Sequence, residues 1–359
     1  MRNYTFEEDI SNLKKEIKAN GWYKKSEARM LYELLFHLTL MTGGLIIFAL
    51  YQNIAVRILA MVVSTVGATG VTTHTHSSSH HSTFCNRKLN NFLVYFGYPF
   101  LFGTSATYWW HKHIAVHHPN PNIVGADDDI DLKPIFAFTR DEIANSSSRF
   151  QKTWFNYQWL IFPVALSFNG FNIQLSGWKF LIPRLIHRAQ RTLLHELDFL
   201  ALMLHWTVWL FVPALLFGFP GALLFHCLRI TLLGYGMYIA FAPAHFPAEA
   251  VVLSHENINA DPYLKHLATT VNFKTNRVGR LICLGVDYQI EHHLFPGVTH
   301  SHYPALSRKL KEICDRHQYP HRTLGWLESL WKSYLIFYTP KEVYNKIRYD
   351  SLERKYSLE

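Results

Sequence analysis

The sequence predicts an all-α integral membrane protein in which four transmembrane helices, arranged as two hairpins, support a helical cap on the cytoplasmic side. Two observations favour this class. Of the 359 residues, 49% are hydrophobic, yet the mean hydropathy is close to zero. A soluble protein could have the same average, so the distribution of apolar residues along the chain decides between a soluble and a membrane protein. Charged residues almost vanish from 38–73 and from 199–242 and crowd the rest of the chain, a pattern typical of membrane spans joined to a large polar part.

We predict one domain, because no internal repeat or low-complexity linker interrupts the chain. Its expected parts are an N-terminal amphipathic helix (1–30), a first pair of spans (31–73), a first cap segment (74–198), a second pair of spans (199–242) and a second cap segment (243–359).

The first element is a predicted helix over 5–19, where Thr5 and Glu8 form a capping-box pattern. Its apolar stripe consists of Phe6, Ile10, Leu13 and Ile17. Lysines lie beside this stripe, so two interpretations stay open. The helix packs on the rest of the protein, or it lies on an anionic membrane surface.

Four segments reach the length of about twenty apolar residues that crosses a bilayer. They are 31–51, 53–73, 199–219 and 221–242. Short turns near 51–53 and 219–221 join them in pairs. The apolar segments 91–104 and 154–175 are too short or too interrupted to span, so we expect them at the interface or half-buried. A further amphipathic stretch is expected around 323–348.

Lysine and arginine are distributed asymmetrically along the chain. Nearly all lie in the N-terminal segment, in 74–198 and after 242, while the two opposite turns carry essentially none. The positive-inside rule therefore predicts a multi-pass protein with both termini and the cap in the cytoplasm. The net charge of +9 accompanies no recognition motif, which argues against nucleic acid as a partner.

The histidines of this sequence are numerous and clustered. Eight of the 22 histidines lie between 74 and 118, and seven lie between 245 and 302. The densest clusters read H-x-x-x-H-H at 76–81, H-x-x-x-H-H at 113–118 and Q-x-x-H-H at 289–293. The predicted topology places all of them on one side of the membrane.

The spacing within these clusters favours metal binding. Residues four apart share one face of an α-helix, so His76 with His80, and His113 with His117, are each expected to meet one metal ion. The remaining cluster members supply further imidazole nitrogens, which allows two neighbouring metal sites.

The chemical type of the ligands limits which metal ions can bind. All-imidazole sites suit zinc, copper, nickel or iron. Zinc has no redox chemistry and is usually satisfied by four ligands, so this many candidate ligands beside an apolar stem favour two irons that activate dioxygen. A histidine-rich membrane protein that binds or transports metal is the alternative from another class. Transport predicts ligands within the spans, whereas these clusters lie outside the predicted spans.

The histidine clusters and their neighbours resemble the membrane fatty acid desaturase family. The similar motifs are W-x-x-H-x-x-x-H-H at 110–118, the acidic run at 127–131 and Y-Q-I-E-H-H-L-F-P at 288–296. The last motif is similar to the front-end and bacterial lipid desaturase branch, and the resemblance runs from about residue 30 to 318. It implies a non-haem di-iron oxidoreductase (Fe²⁺/Fe³⁺) that uses dioxygen and external electrons to introduce a double bond into an acyl chain.

Carried over position by position, the resemblance implies these iron ligands: His76, His80, His113, His117, His118, His245, His292 and His293. Gln289 stands where many relatives have histidine and is a candidate for a weak ligand or for a group that orients one. His81, Asp128 and Asp131 are further candidates for a ligand or for a group that orients one. The acidic run equally fits a solvated turn or a docking site for a basic donor.

Two departures from the family pattern matter. The first cluster, His76-Ser-Ser-Ser-His80, lacks the aspartate that commonly follows its first histidine. No His-Pro-Gly-Gly haem motif occurs, so we expect no fused cytochrome b5 domain and a separate electron-donor protein of ferredoxin or cytochrome b5 type.

The substrate implied by the resemblance is a fatty acyl chain carried by membrane lipid, coenzyme A or acyl carrier protein. The histidine spacing does not separate desaturation from hydroxylation or from triple-bond formation by an acetylenase on the same scaffold. Neighbouring methylenes are chemically almost identical, so the position of reaction has to come from geometry.

Overall fold

Helices make up most of the computed structural model, which describes residues 4–350 and 355–359. The α-helices in chain order are α1 (Phe6–Ala19), α2 (Glu27–Leu50), α3 (Ile54–Ser79), α4 (Arg87–Tyr95), α5 (Ala106–Trp109), α6 (Arg140–Ala144), α7 (Arg149–Asn156), α8 (Gln158–Ala165), α9 (Asn169–Ile186), α10 (Leu193–Trp206), α11 (Val212–Phe217), α12 (Phe219–His245), α13 (Pro262–Thr269), α14 (Arg277–Cys283), α15 (Gln289–Leu294), α16 (Tyr303–His317) and α17 (Trp326–Leu335).

Tighter and wider helical turns connect several of these elements. The π-helical segments are Phe96–Phe102, Trp110–His117 and Thr207–Phe211, and the 3₁₀ turns are Leu166–Phe168, His255–Asn259 and His300–His302. The strands are β1 (Val252–Leu253), β2 (Asn272–Lys274), β3 (Thr323–Gly325), β4 (Val343–Tyr344), β5 (Ile347–Asp350) and β6 (Lys355–Leu358). β1 pairs in parallel with β4 and β2 with β3, while β5 and β6 are antiparallel.

The N-terminal helix α1 forms as predicted, with the reciprocal capping box of Thr5 and Glu8. Its whole apolar stripe is buried, and α1 packs against α16. Asp9, beside the stripe, accepts hydrogen bonds from His317 Nε2 at 2.8 Å and from Arg316 Nη1 at 2.6 Å. Of the two interpretations, packing on the protein therefore holds for this stripe.

Four helical stretches are long and apolar enough to cross a membrane: Glu27–Leu50, Ile54–Ser79, Leu193–Phe217 and Phe219–His245. By helix length and composition, the predicted number of candidate spans is confirmed. α3 and α12 continue beyond the predicted ends at 73 and 242, so His76 and His245 lie on the same helices as two of the candidate spans. The turn predicted at 219–221 lies instead at Gly218, whose φ of 79° suits glycine, and α12 already begins at Phe219.

Helices α2 and α3 pack closely along their length. A Cβ atom built on Gly44 of α2 would lie 2.6 Å from Ala60 O and 2.7 Å from Ser64 N. Small residues at a helix interface let two backbones approach each other, which is how apolar helices associate in lipid. The neighbouring Gly43 has no atom within 4 Å of the same position.

These two glycines make a matched pair of substitutions. We expect Gly44→Ala to destabilise the protein by about 1–3 kcal/mol, because the added methyl group would collide with the backbone of α3. Gly43→Ala should leave stability unchanged or raise it, since alanine favours a helix. Thermal unfolding of both variants in the same detergent measures the difference, and equal melting temperatures would contradict the close α2–α3 approach.

The segment from α4 through Phe96–Phe102 ends inside the protein, between the candidate spans. Its last carbonyl groups accept hydrogen bonds from side chains of surrounding helices: Phe100 O from His205 Nδ1 (2.8 Å) and Trp209 Nε1 (3.0 Å), Leu101 O from Arg229 Nη1 (2.8 Å) and Phe102 O from Gln174 Nε2 (2.7 Å). Helix ends buried away from water need such partners. The predicted half-buried segment 91–104 is thus deeply buried at its carboxyl end.

Candidate metal centre

The predicted ligands come from four parts of the chain and converge near the C-terminal ends of α3 and α12. The first group consists of His76, His80, His113, His118 and His292, and the second group consists of His117, His245 and His293. Within each group the candidate ligand atoms all lie within 4.8 Å of one another. His80 is half-buried and the other members are buried.

The ring nitrogens of the first group point at one another. His113 Nε2 lies 2.8 Å from His76 Nε2 and 3.1 Å from His118 Nε2, and His292 Nε2 lies 3.2 Å from His118 Nε2. A neutral imidazole nitrogen either donates or accepts one hydrogen bond. His113 Nε2 and His118 Nε2 each lie close to two other ring nitrogens, so hydrogen bonding among the rings does not account for all of these contacts. Nitrogens directed at a common centre are what a metal ion requires, and the residues present therefore fit a metal.

The second group repeats this geometry on a smaller scale. His293 Nε2 lies 3.3 Å from His245 Nε2. The ring of His117 lies 4.7 Å from that of His245 and 5.1 Å from that of His293, measured between centroids. His266 packs beside this group, with its ring 5.6 Å from that of His293.

The grouping corrects one predicted pairing. Trp110–His117 is a π-helix, and the His118 N–H donates to His113 O at 2.9 Å, five residues back. Residues five apart then share a face, so His113 joins His118 in the first group and His117 belongs to the second. The pairing of His113 with His117 assumed α-helical spacing, which this segment does not adopt. His76 and His80 do lie in one group.

A buried carboxylate fixes the start of the helix that leads into this π-helix. Asp198 of α10 accepts hydrogen bonds from the Ala106 and Thr107 N–H groups, both at 2.9 Å, and from the Ser105 and Thr107 hydroxyls at 2.6 and 2.7 Å. A carboxylate at a helix N-terminus satisfies unpaired N–H groups and interacts favourably with the helix dipole. The position of the second histidine cluster is thereby tied to a candidate span.

Two members of the acidic run contact the second group. His117 Nδ1 lies 3.0 Å from Asp127 Oδ2 and 3.3 Å from Asp129 Oδ2. Asp128 and Asp131, the members chosen from the sequence, are exposed instead, and Asp131 lies 3.6 Å from Lys133 Nζ. The orienting contact predicted for Asp128 and Asp131 is therefore made by Asp127 and Asp129.

The third histidine cluster lies on α15, which buried polar side chains hold in place. Glu291 accepts hydrogen bonds from Asn272 Nδ2 at 2.7 Å and from His321 Nε2 at 2.8 Å. The Asn272 side chain in turn accepts from the Ile290 N–H at 2.9 Å. Tyr303 lies 3.3 Å from His292 Nδ1 through its hydroxyl. These contacts fix the direction of His292 and leave its Nε2 facing the first group.

Gln289 and His81 differ in their surroundings. Gln289 is buried, and its Oε1 atom has no hydrogen-bond partner among the described residues. On α15 it lies four residues before His293 and so shares a helix face with that ligand. His81 is half-buried outside both groups, directly after the end of α3. A role beside a metal thus fits Gln289 better than His81.

Burial and neighbouring charges determine the protonation of the groups. Burial, reinforced by neighbouring imidazoles, holds the pKa of His113, His118, His292 and His293 well below the ordinary value. The same causes lower the pKa of His80 to about 3. Neutral imidazole is the form that binds a metal.

His117 behaves differently from the other imidazoles. Burial lowers its pKa, but the carboxylates of Asp127 and Asp129 outweigh burial and raise the pKa of His117 above the ordinary value. A carboxylate that accepts the Nδ1–H of a ligating histidine fixes its tautomer and increases its basicity. This arrangement suits a ligand that binds metal through Nε2.

Aromatic rings close one side of the first group. Trp109 stacks on His113 with 4.7 Å between ring centroids, and Phe241 lies 5.2 Å from His76. Tyr98 in turn stacks on Trp109, with 4.3 Å between ring centroids. An apolar surface therefore borders the converging nitrogens directly.

Sequence reasoning missed several residues that shape the site. Asn122, Tyr303 and Lys341 all contact members of the groups or the residues that orient them. They lie outside the histidine clusters, and neither spacing nor residue type distinguishes them in the sequence. Their contacts depend on the tertiary fold.

Fold and site together define a class: a helical protein with four candidate membrane spans and two adjoining imidazole groups able to hold metal. Comparison with known proteins agrees, since the family model described as fatty acid desaturase matches residues 14–325. The chain therefore belongs to the fatty acid desaturase family.

Individual relatives support the same assignment. The Delta(8)-fatty-acid desaturase of Euglena gracilis is 28% identical, over 88% of this chain and 74% of the relative. The Delta(6)-fatty-acid desaturase fat-3 of Caenorhabditis elegans is 27% identical, over 88% and 70%. The sn-1 linoleoyl-lipid 6-desaturase of Synechocystis is 24% identical, over 72% and 73%. The predictions of family, of desaturase function and of an oxidoreductase are confirmed.

Proposed function

We propose that this protein is a di-iron fatty acyl desaturase in which each of the two histidine groups holds one iron ion. The observation that carries the proposal is the convergence of buried imidazole nitrogens into two adjoining groups. Imidazole donors suit iron as well as zinc or copper. Desaturation is a redox reaction, which zinc does not support, so iron is the better match to the family. When bound, the two irons would supply the redox chemistry with dioxygen and external electrons that removes two hydrogens from the acyl chain.

The protein's own residues contribute orientation and exclusion of water. Asp127 accepts the Nδ1–H of His117, and Tyr303 stands at Nδ1 of His292, so each ring presents Nε2 to its group. Burial of nearly all the ligands keeps bulk water away from the reacting carbons. Gln289, with an unpartnered buried oxygen, is proposed as a weak ligand or a partner for a bound water.

The acyl chain is proposed to lie against Trp109 and Phe241, because these rings form the apolar border of the first group. Selection among nearly identical methylenes then depends on how far the chain slides along this wall. The carrier is lipid, coenzyme A or acyl carrier protein. The name of the Synechocystis relative, which specifies a lipid substrate, favours lipid.

Removing one of these two aromatic rings tests their role in positioning the acyl chain. We expect Phe241→Ala to leave the iron content unchanged and to spread the double bond over neighbouring positions, because removal of the ring permits more than one chain register. Phe150→Ala, at an exposed phenylalanine of α7, serves as the control. Gas chromatography with mass spectrometry of derivatised products reads the double-bond position. A single unchanged position in the Phe241 variant would contradict contact with the acyl chain.

We propose that the four spans cross the membrane as two hairpins, with both termini and the histidine groups in the cytoplasm.

α17 is proposed to lie at the lipid interface. Its Ser329 and Ser333 hydrogen-bond to carbonyls of Pro243 and Ala242 near the end of α12, while Leu327 and Trp331 face outward. Electrons would come from a separate donor of ferredoxin or cytochrome b5 type. Maleimide labelling of the exposed Cys85 against a cysteine introduced at Gln52, in sealed vesicles of known orientation, tests the sidedness.

The proposal is tested first by elemental analysis of protein purified from iron-supplemented cells. About two irons per chain are expected, with production of a desaturated acyl chain when dioxygen and a reductant are supplied. One iron per chain, after a purification shown to retain metal, would contradict the paired site.

A further inference from the structure

Lys341 is a buried lysine that lies beyond the part of the chain matched by the family model, which ends at residue 325. It is 5% exposed, and its Nζ atom donates hydrogen bonds to His245 O at 2.8 Å and to Ala250 O at 2.6 Å. Its Nζ atom also lies 4.9 Å from the centre of the Phe138 ring. Lys341 forms no ion pair with any residue in 4–350 or 355–359. Its amine thus serves two backbone carbonyls.

One of these carbonyls belongs to a proposed iron ligand. His245 is the last residue of α12, and carbonyl groups at a helix end have no partner within the helix. Lys341 supplies one partner for His245 O, and Asn122 Nδ2 supplies another at 2.8 Å. The backbone of this ligand is therefore held from two sides, which restricts the direction in which its imidazole can point.

The same contacts extend to a second ligand. The Asn122 N–H donates to Asp127 Oδ2 at 2.8 Å, and that carboxylate lies 3.0 Å from His117 Nδ1. A continuous path of hydrogen bonds thus runs from Lys341 through the His245 carbonyl, Asn122 and Asp127 to His117. Two of the three members of the second group depend on it.

Backbone pairing brings Lys341 to this place. The Lys341 N–H donates to Phe138 O at 3.0 Å, and the Arg140 N–H donates to Lys341 O at 2.8 Å. β4 follows directly and pairs with β1, whose Leu253 N–H donates to Asn122 O at 3.0 Å. The segment that carries Lys341 is therefore part of the same frame as Asn122.

We propose that Lys341 is a positioning residue for the second iron site, holding the end of α12 so that His245 faces the ion. The inference rests on the proposed di-iron function. The Lys341 amine uses two N–H groups to donate to two carbonyls. A charged amine has three N–H groups and an uncharged amine has two, so either form can make both hydrogen bonds. The role therefore depends on the hydrogen bonds and not on the charge. Loss of partners beyond the first ligand shell typically lowers metal affinity about 10–100-fold.

The test compares Lys341→Met with Lys332→Met. Lys332 lies in the same C-terminal region but pairs with the half-buried Glu249 and the exposed Glu328. Iron per chain is measured before and after a timed challenge with a chelator, on protein that elutes as a single species in size-exclusion chromatography. We expect Lys341→Met to fall from two irons to about one, or to lose one ion about 10–100 times faster than wild type. Lys332→Met should match the wild type.

The alternative outcomes are distinguishable. Two irons in Lys341→Met that resist the chelator as in wild type would overturn the inference and leave the proposed function intact. One iron per chain in the wild-type protein, after a purification shown to retain metal, would instead overturn the di-iron proposal itself. Lys341→Arg retains N–H donors and is expected to hold its second ion more tightly than the methionine variant. An arginine variant that loses its second ion about 10–100 times faster than wild type overturns the role of the donors, and this comparison with wild type still applies if the methionine variant fails to fold.

Discussion

Alanine at His292 is expected to disable the first iron site, whereas alanine at His293 is expected to disable the second. These neighbours on α15 belong to different groups, so their variants should each lose about one of two irons and leave the other site occupied. Desaturation should fall by more than about a hundredfold in both. Removing a partner of a ligand already costs about 10–100-fold, and removing the ligand itself should cost more.

The measurement combines iron per chain with the rate of double-bond formation under dioxygen and a reductant. His187→Ala is the matched control, since this histidine is exposed after the end of α9 and should leave both quantities unchanged. Full iron content and ordinary turnover in either ligand variant would exclude that residue as a ligand. A preserved elution profile from a sizing column separates loss of metal from loss of fold.

Much of this architecture is readable from the sequence because two physical requirements leave strong patterns. Apolar length and the absence of charge located the four candidate spans, and the capping box with its apolar stripe located α1. The histidine clusters identified seven of the eight residues that the two groups contain, whereas His245, at the end of α12, was implied only by the resemblance to the desaturase family. Local patterns sufficed for the spans, for α1 and for the clustered histidines.

The exceptions depend on backbone geometry that residue spacing does not encode. The motif H-x-x-x-H-H is compatible with an α-helix or a π-helix, and the choice decides whether His117 or His118 accompanies His113. The acidic run offers several adjacent carboxylates, and the course of the turn decides which of them faces inward. Lys341 reaches His245 from 96 residues away, through strand pairing that its own sequence does not predict.

Within the acidic run, Asp127→Asn is expected to weaken the second iron site strongly, while Asp128→Asn should have no effect. Asp127 Oδ2 accepts from His117 Nδ1–H and the Asn122 N–H, and its Oδ1 accepts from the Asp129 N–H at 3.0 Å. An asparagine side chain replaces one acceptor with an NH₂ donor. At least one of these N–H groups would then face another donor, in a place where water does not reach.

The expected loss is about 10–100-fold in the affinity of the second site for iron, with a matching fall in turnover. Chelator challenge and product formation measure the two effects on the same preparations. Asp128 is the control best matched to Asp127, because it is the adjacent residue, carries the same charge and is exposed. Equal iron retention in the two variants would mean that the carboxylate of Asp127 does not orient His117. A difference between them would locate the orienting function in the hydrogen bonds of one buried carboxylate and not in the net charge of the run, since both substitutions remove one negative charge.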